Sequence, residues 1–189
     1  MSFEPGSRYE YSNYGFILLG ALIEAVTGQS YYDYVREHVF APAGMTATDS
    51  LPESEDVPGR AVGYTKPEDS WVSAADALPW RGNAAGLGYS TVGDLKRFAD
   101  ALTSGVLLSD TMLAEATHAH APALQYGFGF EIFRSRRTEV YGHGGAFPGM
   151  NGVLRIYPEL GYVVVVLSNL DPPAAEQLVR STLSHTPEL

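Results

Sequence analysis

Apolar positions along the chain first follow a helical period. Ile17, Leu18, Ala21, Leu22 and Ala25 recur at the i, i+3, i+4 spacing that puts one stripe on a helix, and they predict a helix over 14–26. Asn13 stands where a cap belongs, Thr27-Gly28 supplies a stop, and Pro5-Gly6-Ser7 upstream reads as a turn. A second helix is expected from Ser30 to about Val39, ended by Ala41-Pro42-Ala43-Gly44. Over 46–83 no period survives. That stretch carries Pro52, Pro58, Pro67 and Pro79 with Trp71 and Trp80, so it is a functional loop or holds short elements without a pattern.

The helical pattern returns at Val92–Thr103, entered through Ser90-Thr91 with Asp94 in its first turn and closed by Gly105. Ser109 caps a short helix to about Thr117. The character then changes. Gln125–Phe133 alternates aromatic residues with glycine, and 138–142, 152–157 and 162–168 are β-rich. Pro158-Glu159-Leu160-Gly161 makes the last two an antiparallel hairpin, and 173–183 is helical again. There is no internal repeat. Helices followed by a strand meander and a terminal helix predict one α+β domain over 1–189. Its helical part is expected to about 120, and an antiparallel sheet flanked by helices beyond.

Composition narrows the function classes. The 189 residues carry 22 acidic and 12 basic side chains, a formal net charge of −10. Binding to nucleic acid or to anionic lipid needs a basic surface, so neither is expected as a partner. There are no cysteines, which excludes disulfides and thiolate nucleophiles. No signal peptide is read in the first residues, and the longest apolar runs fall well short of the roughly 20 residues that span a bilayer. The compartment is left open.

Three clusters bear chemistry: Tyr11-Ser12-Asn13 before a helix, Asn83 to Thr91 entering another, and the Gly-dense run Gly142 to Gly149 at a strand. Each has a plain structural reading. Tyr11 is one of 12 tyrosines and can sit half-buried with a wet hydroxyl; Asn13 can cap a helix; His143 can be structural; glycines can mark bulges. His118-Ala119-His120 has the spacing of a metal clip without further ligands, and reads as a solvated helix end. Ser90 lacks the second glycine of an esterase elbow.

In this order the clusters resemble the serine β-lactamase-like family: class C β-lactamases, D-alanyl-D-alanine carboxypeptidases and related esterases. The resemblance runs from Tyr11-Ser12-Asn13-Tyr14-Gly15 through Val39 to Met45, Ala85 to Thr91 and His143-Gly144-Gly145 to the hairpin 152–169, nearly the whole chain. It implies a β-lactamase/transpeptidase-like fold, incomplete at its N-terminal side, and acyl transfer on β-lactam, D-amino peptide or ester substrates. It implies no metal or organic cofactor. Tyr11 would be the general acid/base, needing a nearby cation to act as a base at neutral pH because a phenol ordinarily ionises near 10. Asn13 would hydrogen-bond the substrate. His143-Gly144-Gly145 looks like the family's Lys-Thr-Gly strand with histidine in place of lysine. An imidazole offers mainly a hydrogen bond rather than a fixed charge, so esters and D-amino peptides gain over carboxylate-bearing β-lactams. Gly144 and Gly145 would leave room for substrate, and the Ala146 N–H would donate to the oxyanion, an interaction worth roughly 3–4 kcal/mol of barrier in such enzymes.

The family's Ser-x-x-Lys nucleophile has no counterpart. The two lysines are Lys66 and Lys96, and the positions three before them are Gly63 and Gly93. The chain therefore reads as the C-terminal part of a longer hydrolase, inactive by itself. An open sheet edge is expected to promote homo-oligomers. Two alternatives stand beside this reading: a non-catalytic module that binds peptide or cell-wall fragments in the retained groove, and an unconventional hydrolase using Ser12 or Ser90.

Overall fold

A computed structural model describes residues 3, 4, 6–120, 125–134 and 138–186; Pro5 of the expected turn lies outside them. Helix α1 (Asn13–Thr27) begins one residue before the predicted start. Ser12 is its cap, not Asn13: Ser12 is extended (φ −146°, ψ 109°) and its hydroxyl accepts the Gly15 N–H at 3.2 Å. A cap must stand outside the helix to reach an N–H three residues on, whereas Asn13 is already helical. Gly28, at φ +72°, closes the helix in the left-handed conformation. The apolar stripe of α1 is not core. Gly20 is its one buried residue, and Leu18, Leu22 and Val26 are exposed, because nothing among the described residues packs over that face.

Ser30 caps α2 (Tyr31–Val35), which passes into a π-helical turn at Arg36–Phe40 instead of continuing to Val39 as one α-helix. The patternless stretch holds a two-residue ladder, β1 (Tyr64–Thr65) with β2 (Val72–Ser73), and a 3₁₀ turn at Ala75–Ala77. Helices α3 (Val92–Thr103) and α4 (Asp110–Ala116) fall where predicted, capped by the hydroxyls of Thr91 and Ser109.

Beyond them lies a four-stranded antiparallel sheet in the order β3 (Glu131–Arg134), β4 (Glu139–Phe147), β5 (Met150–Tyr157), β6 (Tyr162–Ser168), followed by α5 (Ala174–Ser184). Strand β3 is shorter than expected. Over 125–130 the chain instead makes a tight loop in which the Gly127 N–H donates to the Phe130 carbonyl at 2.8 Å and Gly129 takes φ +82°. Strand β4 runs through the Gly-dense cluster as far as Phe147, and Pro148-Gly149 turn the chain into β5. Helix α3 covers one sheet face, where Ala99 and Leu102 meet Tyr141 and Ile156; α5 covers the other, where Ala175 and Val179 meet Val153. Burial of a side chain such as Ile156 stabilises by roughly 1.5–3 kcal/mol, so these two seams hold the helices to the sheet. The α+β architecture with a helix-flanked antiparallel sheet agrees with the expectation. Among the described residues, no strand pairs along the outer edge of β6. No described helix is long and apolar enough to cross a membrane.

Candidate active site

Ser12 starts α1 and so leaves Tyr11 at its mouth, pointing back over the sheet. The Tyr11 ring lies 5.9 Å from Phe16, 6.1 Å from Tyr126 and 6.2 Å from His143, centroid to centroid. These four residues line one cavity of about 300 Å³ with Tyr31, Ser50 and the loop 83–88. The loop is shaped locally. Asn83 and Gly86 exchange backbone hydrogen bonds, the Asn83 side chain accepts the Ala85 N–H at 2.9 Å, and Leu87 is held at φ +66°. A non-glycine residue in that region stores strain, here in the loop whose neighbouring residues line the cavity.

His143 sits on β4, half-buried. Strand β3 pairs with β4 only between Glu139 and Gly142, so from His143 to Phe147 that edge of β4 has no partner in the described sheet. The His143 Nδ1 is 2.6 Å from the Gly144 carbonyl and its Nε2 is 2.8 Å from the Tyr126 hydroxyl. Burial, then the neighbouring Tyr11, Tyr9 and Glu131, pushes ionisation of the Tyr126 phenol well above its ordinary value. Tyr9 is raised in the same way, by burial first and then by Tyr11 and Glu131. Among the described residues no lysine or arginine lines the cavity.

The structure thus brings Tyr11 and His143 together. It does not bring Asn13 with them: Asn13 is exposed on the first turn of α1 and does not line the cavity. Gly144, Gly145 and Ala146 line a second groove of about 260 Å³, with Glu131, Arg155 and Glu176, which meets the first at His143. Ser12 is committed to its cap, and the Ser90 hydroxyl bonds Thr48 at 2.7 Å; neither has a histidine or lysine partner among the described residues. Lys96 pairs with Asp100 on the exposed side of α3. Tyr126, Phe16 and Ser50 escaped the sequence reading. The one available signal was the pair Gly127 and Gly129, which marks a tight backbone beside Tyr126; a Cβ on Gly127 would lie 2.1 Å from the Ala116 carbonyl.

Comparison with known proteins agrees with this architecture. The Beta-lactamase family model matches residues 1–185, and the chain belongs to that family. A penicillin-binding protein from Bacillus halodurans superposes with a TM-score of 0.89 at 31% identity, over 96% of this chain and 58% of that one. A D-amino acid amidase from Ochrobactrum anthropi, solved with D-phenylalanine, gives 0.74 at 30% identity over 89% and 53%. Among curated proteins, penicillin-binding protein 4* of Bacillus subtilis is 26% identical over 97% of this chain and 45% of its own length. A D-aminopeptidase of Brucella anthropi is 32% identical over 78% and 29%. The chain therefore spans less than half the length of these curated relatives.

Proposed function

We propose that this chain carries one wall of the acyl-transfer site of a β-lactamase-family serine hydrolase, acting on amides, peptides or esters of D-amino acids. One observation carries the reading: Tyr11 and His143, far apart in sequence, line one cavity with their rings 6.2 Å apart. Tyr11 is the proton-transfer group, His143 contacts substrate, and Gly144, Gly145 and Ala146 form the strand edge along which it lies, with the Ala146 N–H as an oxyanion donor; Asn13, outside this cavity, takes no part in that contact. The attacking hydroxyl and its lysine come from outside residues 1–189, so this chain by itself does not turn over substrate. The names of the D-aminopeptidase and D-amino acid amidase relatives support the D-amino class. Self-association completes the reading. The open outer edge of β6 pairs with a second copy of the chain, and a related penicillin-binding protein homologue from Pyrococcus abyssi, 26% identical with a TM-score of 0.81, is octameric.

The test combines a fluorophosphonate probe with an NMR titration using D-phenylalanine amide. We expect no covalent labelling, together with saturable shifts of the Tyr11, Tyr126 and His143 resonances. Stoichiometric labelling would overturn the missing nucleophile. Labelling-free protein whose site resonances stay still would overturn the site.

A further inference from the structure

We propose that Tyr126 is a positioning residue: its hydroxyl, together with the Gly144 carbonyl, holds His143 as a neutral imidazole with the proton on Nδ1. A carbonyl can only accept, so the 2.6 Å contact with Gly144 places a proton on Nδ1. Nε2 then has two options toward the hydroxyl 2.8 Å away: accept from the phenol as a neutral ring, or donate to it as an imidazolium. In the second case the phenol proton turns into the cavity, where no group among the described residues accepts it. Among the described residues Tyr126 has no other hydrogen-bond partner. Burial and Glu131 keep that proton on the oxygen. The phenol therefore donates, and Nε2 accepts.

The fold is built to hold this contact. Tyr126 bridges to Glu131, Glu131 stands opposite Gly142 in the β3–β4 register, and His143 is the next residue along. The Ile132 N–H anchors the loop by donating to the Gln125 carbonyl at 2.8 Å, and the Phe128 N–H does so to the Ala116 carbonyl at the same distance. The rings of Tyr126 and His143 meet edge to face, at 89°, with their centroids 5.7 Å apart.

The consequence deepens the proposed function and rests on that cavity being the substrate site. With both ring nitrogens engaged, His143 has no free donor for a substrate carboxylate. The histidine that stands at the lysine position therefore acts as a neutral wall, and Tyr126 keeps it so.

The experiment uses the whole chain labelled with ¹⁵N-histidine, with His143 assigned by His143→Gln. Long-range proton–nitrogen spectra are recorded at mildly alkaline pH. We expect one tautomer, Nδ1–H, with Nε2 displaced toward hydrogen-bonded values. In Tyr126→Phe, Nε2 moves to the position of a free acceptor and the Nε2–H tautomer appears. Fluorotyrosine incorporation, which strengthens the donor without removing it, moves Nε2 the opposite way and covers the case in which Tyr126→Phe does not fold. An Nε2–H tautomer in the unsubstituted chain, or an Nε2 resonance indifferent to both changes, would overturn the proposal. No turnover is needed, so this result stands apart from failure of the hydrolase reading.

Discussion

The Gly149 N–H donates to the Asp171 carboxylate at 2.8 Å, tying the β4–β5 turn to the segment after β6. The other Asp171 oxygen accepts from the Thr65 hydroxyl and the Lys66 N–H, at 2.8 and 3.0 Å, so β1 is held by the same side chain. These bonds, Gly149 first, hold the Asp171 carboxyl below the usual carboxylate range. A carboxyl whose folded value is depressed contributes stability above its unfolded value of about 3.9, and that contribution is lost as pH falls through the folded value. Denaturant unfolding of the unsubstituted chain is expected to weaken steeply over that acidic window. Asp171→Asn should start weaker at neutral pH and show a flatter acid limb. Parallel limbs for the two proteins would mean that Asp171 is not the linked group.

Helix α1 approaches the cavity loop so closely at Gly20 that a Cβ there would lie 2.7 Å from the Ala84 Cβ. Alanine in a helix interior is ordinarily favoured over glycine by about 1 kcal/mol. Overpacking costs typically 1–3 kcal/mol, so Gly20→Ala should be net destabilising or neutral, never stabilising by the full propensity term. Ala84→Gly removes the colliding methyl. The double variant should recover stability, with a coupling energy of about 1 kcal/mol or more in a thermal-melt cycle. Additive single effects would place the two backbones farther apart than the structure has them.

How much of this was legible in the sequence follows from what each element needs. Helices α3 and α4 carry their own caps, Thr91 and Ser109, and the β5–β6 hairpin carries its own turn, so these were readable residue by residue. The pairing of β1 with β2 was not, because two-residue strands have no period and depend on Asp171, far along the chain. Ser12 and Asn13 are both cap formers, and only backbone angles decide between them. The stripe on α1 was legible as a stripe; whether it is covered depends on what packs there. At the site, Tyr11 and His143 were found through their family motifs. Tyr126 was missed because its role depends on the register of β3 against β4, which no local pattern encodes.

Ile156 joins the sheet to α3 and is 1% exposed, against Tyr141, Ala99 and Leu102. Ile156→Ala removes three carbons from a seam that cannot collapse without moving a helix. The expected loss is about 2–5 kcal/mol by chemical denaturation, whereas Ile156→Val should lose about 0.5–1.5 kcal/mol. A loss below 1 kcal/mol for the alanine variant would show that α3 does not clamp the sheet there.

The outer edge of β6 bears on oligomeric state. Tyr162 and Leu167 are exposed near its two ends, between them runs Val163-Val164-Val165-Val166, and no described strand pairs along that edge. A long apolar edge is a template for another chain, and natural edges are blunted by charge, lysine above all. Sedimentation velocity at micromolar concentration should therefore show dimers or larger species. Tyr162→Lys with Leu167→Lys should give monomer with the helical and sheet circular dichroism unchanged. The exposed stripe of Leu18 and Leu22 on α1 is the competing contact, and Leu18→Glu with Leu22→Glu separates the two. Association that survives the lysine pair but is lost with the glutamate pair belongs to the helix face. A monomer at the outset sinks both.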